Sequence, residues 1–178
     1  GIGKTRCMDE IAARAEGLDF FVWMSRSIEA SCGPVFWPWI QILHALAHDL
    51  PGLTEAAEAV VARLMTQSEL DEAAAALTPQ ALPIASDRFW QYEAVAGLLQ
   101  AAARQRPILL AFDDLHWADR GTWELLGFLA PELRRSPILI LGARRDERGA
   151  SARDAHASQA REAARFKLAS LGTPDVHF

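Results

Sequence analysis

Five residues at the start of the chain, Gly1-Ile2-Gly3-Lys4-Thr5, are of the types that bind phosphate. They match the last five places of G-x-x-x-x-G-K-[ST]. Glycines let the backbone curl so that successive N–H groups face phosphate oxygens. Lys4 would add a point charge on the β- and γ-phosphates, and Thr5 a hydroxyl ligand for Mg²⁺. A helix that follows would bring its positive end to the same phosphates. Two carboxylates, Asp113 and Asp114, close the apolar run Ile108-Leu109-Leu110-Ala111-Phe112. In open α/β sheets ligands bind at the carboxyl ends of strands. One acid there can hold a hydrated Mg²⁺, and a second can orient or deprotonate an attacking water. A later apolar run, residues 138–143, ends in Arg144-Arg145-Asp146-Glu147. An arginine there would point into the same cleft and can sense a γ-phosphate.

Each piece has a plainer reading by itself. The first is a Gly-rich turn beside a surface lysine, the second a strand-ending turn with a helix cap, the third a solvated charge run. Gly-Ile-Gly-Lys-Thr and Asp-Asp together outweigh the plainer readings, because both halves of one Mg–nucleotide site occur in the right order.

The elements that must position these residues are legible in outline. Lys4 to about Glu16 reads as a helix, with Met8, Ile11, Ala12 and Ala15 on one face and Gly17 as its C′ residue. Asp19 to Ser25 is apolar at its centre, as in a strand covered on both faces of a parallel sheet. Pro38 starts a helix whose stripe is Trp39, Ile42, Leu43 and Leu46, ended by Pro51-Gly52. Thr54 caps a second helix through Val60, Val61 and Leu64, and a third runs from Ser68 to about Leu77. Thr78 to Pro83 is a Pro-rich break. A longer helix from about Asp87 to Arg104 turns Phe89, Tyr92, Ala96 and Leu99 inward. The Ala73–Ala76 run is helix propensity rather than a repeat. After the Asp-Asp pair, Asp119 caps a helix with Trp123, Leu126 and Leu129 inward. Residues 148–158 read as a loop, and a short helix ends at Arg165. Residues 166–169 read as a fourth strand, and Thr173-Pro174-Asp175 starts a helix. Aromatics at a helix entrance are core anchors more often than stacking platforms, and Phe36-Trp37-Pro38-Trp39 is read that way. His44 and His48 have a metal-binding spacing but no third ligand nearby, so they are read as ordinary helix residues.

Bulk numbers narrow the class further. At 178 residues the chain is one ordinary domain, long enough for a real core. Hydrophobic content of 51% and charged content of 23% fit a globular protein. A net charge of −5 argues against a generally basic nucleic-acid surface. Two cysteines, Cys7 and Cys32, without C-x-x-C argue against a metal site or disulfide framework and suit the cytoplasm. No apolar run approaches the roughly 20 residues of a membrane span. The first residue is Gly, and no signal peptide is visible.

Four stretches then carry a family resemblance: residues 1–6 (Gly-Ile-Gly-Lys-Thr-Arg), 36–43 (Phe-Trp-Pro-Trp-Ile-Gln-Ile-Leu), 113–119 (Asp-Asp-Leu-His-Trp-Ala-Asp) and 142–147 (Gly-Ala-Arg-Arg-Asp-Glu). Together the chain resembles the AAA-type, origin-recognition-like P-loop ATPase module of large bacterial signalling proteins. These include LuxR-type transcriptional regulators of the STAND class, and similar modules occur beside adenylate cyclase and protein kinase domains. The stretch at 113–119 is the most specific of the four.

The resemblance implies an α/β, three-layer P-loop NTPase with a parallel sheet and a helical insertion at about 34–105. Gly1, Ile2, Gly3, Lys4, Thr5 and Arg6 would bind ATP. Thr5 and Asp113 would hold Mg²⁺. Asp114 takes the catalytic-acid place, and Arg145 the strand-end arginine, bracketed by Gly142 and Asp146. His116 and Trp117 belong to the signature, with loop packing as their reading. No arginine finger is identifiable; Arg161 and Arg165 are the candidates. The loop's first glycine and the strand feeding it would precede residue 1, and a lid would follow Phe178. Residues 1–178 therefore read as a P-loop ATPase domain incomplete at both ends, with the first strand missing. Such a fragment is expected to be unstable by itself.

The implied function is an ATP-binding, slowly hydrolysing switch in a cytoplasmic signalling or transcription-regulating protein. Its partners would be ATP and other domains of the parent chain, with DNA reached only through a separate domain, no membrane, and oligomers allowed. The alternatives are a ring-type AAA ATPase with faster turnover and a vestigial, non-catalytic interaction module.

Overall fold

A computed structural model describes residues 3–29, 33–77 and 85–145, together with 164, 166 and 168; for 67–77 and 85–87 it describes the backbone alone. Its first element is helix α1 (Lys4–Gly17), followed by strand β1 (Phe21–Arg26). Helices α2 (Trp37–Asp49), α3 (Thr54–Leu77) and α4 (Ala85–Ala103) come next. Strand β2 (Ile108–Asp113), helix α5 (Arg120–Glu132) and strand β3 (Ile138–Gly142) complete the described elements.

The three strands form one parallel sheet in the order β1-β2-β3. Its register sets Arg26 beside Asp113 and Gly142 beside Phe112, so the three carboxyl ends lie level. Every residue of β2 is buried, as a central strand with helices on both faces requires. Ile108, Leu110 and Phe112 join a large core with α2, α3, α4 and α5. Leu109 and Ala111 point the other way, against Met8, Ala12 and Ala15 of α1. The result is a three-layer α/β fold of the P-loop NTPase type, with α1 on one face and the helical unit on the other.

The aromatic helix entrance is a core anchor. Phe36 and Trp39 are buried, and Trp39 meets Phe112 edge-on at 4.8 Å between ring centroids. Its indole N–H donates to the Thr122 carbonyl at 3.2 Å, so the one polar atom of a buried ring is satisfied.

Several details differ from the sequence expectation. The strand β1 is not covered on both faces: its burial alternates, with Phe21 and Trp23 in the large core and Met24 40% exposed on the opposite face. Two expected helices between Thr54 and Leu77 are one, since no Gly or Pro interrupts that stretch. Thr54 does not cap it through an accepted bond; its hydroxyl donates to the Ala47 carbonyl at 2.8 Å. The left-handed residue after α1 is Asp19 (φ 62), not Gly17. Phe89 is 46% exposed rather than inward. On α5 the fully buried apolar side chains are Leu125 and Leu129, with Trp123 and Leu126 packed only partly. The Pro-rich break at 78–83, the 148–158 loop, the helix ending at Arg165 and the helix start at 173–175 lie outside the described residues, as does the 166–169 strand except for Phe166 and Leu168.

One polar contact makes the fold pH-sensitive. Trp23 donates its indole N–H to Asp49 Oδ2 at 2.9 Å, and His48 Nδ1 lies 3.0 Å from Asp49 Oδ1. Burial raises the Asp49 carboxyl pKa, but the hydrogen bonds from His48 and Trp23 outweigh it and hold the value below the ordinary carboxylate range. A carboxylate lowered by folding stabilises the fold above its unfolded pKa of about 4 and stops doing so as pH falls through the folded value. Asp49→Asn should therefore lose less melting temperature than wild type between about pH 5 and pH 3. Parallel acid melting curves for the two proteins would count against this link.

Candidate functional site

The acids sit where the central strand stops. Both flanks pin the backbone there: the Ser27 N–H donates to the Asp113 carbonyl at 3.0 Å, and the Ala143 N–H donates to the Phe112 carbonyl at 2.8 Å. The Leu115 N–H then donates to the Ala143 carbonyl at 2.9 Å, so Ala143 spans the acid pair. Leu115 packs over Gly142, where an added Cβ would come 2.6 Å from its Cδ1. Asp114 takes a left-handed backbone (φ 54), unusual for a non-glycine residue though tolerated by Asp. A single helical turn, Leu115–Trp117, follows.

Thr5 and Asp113 meet although 108 positions separate them: Thr5 Oγ1 donates to Asp113 Oδ2 at 3.0 Å. The other oxygen of Asp113 accepts from the Asp114 N–H at 2.8 Å, which fixes the plane of this buried carboxylate. The pair fits a small hard cation. Two oxygens about 3.0 Å apart match one edge of an octahedron with metal–oxygen bonds of ~2.1 Å, the geometry Mg²⁺ demands.

Gly3 adopts φ 82 as the N-cap of α1, a backbone that glycine takes at no steric cost. Lys4 is half-buried, and Thr5 and Arg6 are exposed, all in the first turn of α1. The first turn of α1 carries no acidic residue, although the positive end of a helix dipole favours one. Lys4 and Arg6 at that end suit an anion. Gly1 and Ile2 lie outside the described residues, as do the finger candidates Arg161 and Arg165.

Asp114 has a partner that sequence reasoning missed. Arg26 places Nε 3.2 Å and Nη2 3.0 Å from Asp114 Oδ2. The Arg26 side chain is 70% exposed and that of Asp114 17%, so this is a surface-type pair that orients more than it stabilises. The Arg26 backbone is itself clasped by Gln41 of α2: its N–H donates to Oε1 at 3.4 Å, and its carbonyl accepts from Nε2 at 3.0 Å. A basic residue closing an apolar strand was a visible signal, but its target lies 88 positions away and needs the sheet register. His116 Nδ1 lies 3.8 Å from Asp114 Oδ1, and the His116 ring stacks at a tilt on Trp117. Arg145 is exposed, three positions beyond the end of β3. No group of three or more His, Cys, Asp or Glu that could hold a metal occurs among the described residues, and no described helix is long and apolar enough to cross a membrane.

The arrangement can do one kind of chemistry well. It joins a helix start that could take an anion to an oxygen pair that could take a cation, with a second acid beside them. Residues 1–141 match the model of the family described as AAA ATPase domain. No curated protein and no solved structure matches the chain.

Proposed function

The chain belongs to the AAA ATPase domain family, and we propose that it binds ATP·Mg²⁺ and hydrolyses it slowly as the switch of a larger signalling protein. The observation that carries this reading is the 3.0 Å contact between Thr5 Oγ1 and Asp113 Oδ2, which joins the two ends of the motif set. In this reading Gly1, Ile2 and Gly3 would supply backbone N–H groups to the phosphates, with Arg6 at the helix start. Lys4 neutralises charge on the β- and γ-phosphates. Thr5 and Asp113 would hold Mg²⁺, which would supply positive charge to offset that on the phosphate oxygens. Asp114 orients the attacking water and accepts its proton. Arg145 approaches the γ-phosphate from the end of β3.

Slow turnover suits the way Asp114 is held. Its Oδ2 is engaged by both Nε and Nη2 of Arg26, so a water must displace or share that contact to be held there. The resemblance to LuxR-type regulators of the STAND class supports an output in a separate domain, DNA-binding or enzymatic, of a cytoplasmic protein. In this reading residues 1–178 are part of one ATPase domain of that protein.

Turnover of the full-length protein tests the switch against a ring-type motor. The turnover rate per molecule is expected to be constant over a tenfold or larger range of protein concentration, about 0.01 per second or slower, as for an intrinsic nucleotide switch. A rate that climbs steeply with concentration would favour a ring in which a neighbour completes the site.

A further inference from the structure

We propose that Asp119, the last residue of the 113–119 signature, is a positioning residue for Asp114. This rests on the reading of Asp114 as the acid that acts on the attacking water.

The carboxylate of Asp119 holds two helix starts at once. Its Oδ1 accepts from the Thr122 N–H at 2.8 Å, which caps α5. Its Oδ2 accepts from the Thr122 hydroxyl at 2.6 Å and from the Phe36 N–H at 3.2 Å. Phe36 is the residue before α2 and has a left-handed backbone (φ 64). A phenylalanine in that conformation is strained unless something fixes it. Its ring lies where a Cβ on Gly121 would stand, 2.8 Å from Cε1 and Cζ, so the two helix starts touch only because residue 121 is glycine.

From this junction two arms run to Asp114. One is the chain itself, back through Ala118 and the Leu115–Trp117 turn. The other is α2, whose Gln41 clasps the Arg26 backbone, and Arg26 reaches Asp114 Oδ2. The arms close a ring of contacts with the catalytic-acid place at one end and Asp119 at the other. Packing of Trp39 and Phe36 keeps α2 and α5 together. The Asp119 carboxylate sets how far α2 is advanced along α5, and therefore where Arg26 meets Asp114. Capping α5 needs one acceptor oxygen. Holding Phe36 as well needs the second, which is why Asp serves here and a simple cap would not.

The test separates capping from bridging in the full-length protein. Asn and Ser cap helices about as well as Asp, but neither offers acceptors at both places. Asp119→Asn and Asp119→Ser are expected to melt within about 2 °C of wild type. Their kcat should fall roughly tenfold or more while KM for ATP stays within about twofold, since misplacement near the reacting atoms acts on kcat. Asp119→Ala should lose about 2–4 °C as well as turnover. Wild-type kcat in both the Asn and Ser variants would overturn the proposal. So would a fall in kcat that simply tracks loss of melting temperature across Asn, Ser and Ala. Asp114→Asn, measured alongside, distinguishes the two levels: if it turns over ATP like wild type, the reading of Asp114 fails and takes this inference with it, whereas slowed Asp114→Asn with normal Asp119→Asn and Asp119→Ser overturns the inference alone.

Discussion

Asp114→Asn should bind ATP as tightly as wild type and hydrolyse it about 10²–10³-fold more slowly. The amide keeps the size of the carboxylate and one acceptor oxygen, so a water can still sit against it. It cannot take the proton, and that step is where general-base catalysis acts. The structural cost is small. The Arg26 pair that the substitution weakens is largely exposed on the arginine side, and such pairs are worth about 0–1 kcal/mol. Asp113 keeps its bond from Thr5 and its place in the strand, so the proposed cation site is undisturbed. Single-turnover hydrolysis and a separate equilibrium titration with ATP make the comparison. Equal hydrolysis by the two proteins would move the acid role elsewhere in the site.

Lys4→Ala is the second large effect, and it should separate affinity from stability. Loss of one charge-assisted contact to phosphate removes about 1.5–3 kcal/mol, a 10- to 100-fold weaker Kd for ATP. The fold should gain slightly. Lys4 stands in the first turn of α1, where the helix dipole disfavours a cation by about 0.3–1 kcal/mol. Removal of a charge that opposes the dipole is expected to hold or raise the melting temperature of the ATP-free protein. A residue that weakens its own helix and strengthens binding is what a phosphate site requires. Unchanged ATP affinity in Lys4→Ala would instead favour a vestigial site and an interaction module.

Much of the architecture could be read from local pattern because local physics dictates it. Of the α1 stripe, Met8, Ala12 and Ala15 are buried and Ile11 is partly so, as the spacing requires. The five apolar residues before Asp113 form the one described strand with every residue buried. The Trp39, Ile42, Leu43 and Leu46 stripe is wholly buried, and Asp119 caps the helix it was expected to cap. Failures fall where a distant neighbour decides. Phe89 has helical spacing for the core, yet α4 turns it outward beside Trp90. The apolar centre of β1 gives no sign that the face opposite the large core is covered only in part, with Val22 packed near α1 and Met24 40% exposed.

The candidate site divides along the same line. Residue type and order by themselves determined its chemical inventory: a glycine-lysine-threonine turn before a helix, two acids after a buried strand, an arginine after the next. Those choices depend on backbone freedom, charge and strand-end position, which are properties of short segments. Only the tertiary structure decided which oxygen faces which. Parallel register sets Arg26 level with Asp113, so a strand-end arginine from β1 reaches Asp114 while Arg145 stays exposed. Packing of α2 on α5 gives Asp119 its second donor, the Phe36 N–H, 83 positions away. Such contacts depend on distances closed by the whole core, and no spacing within the chain encodes them.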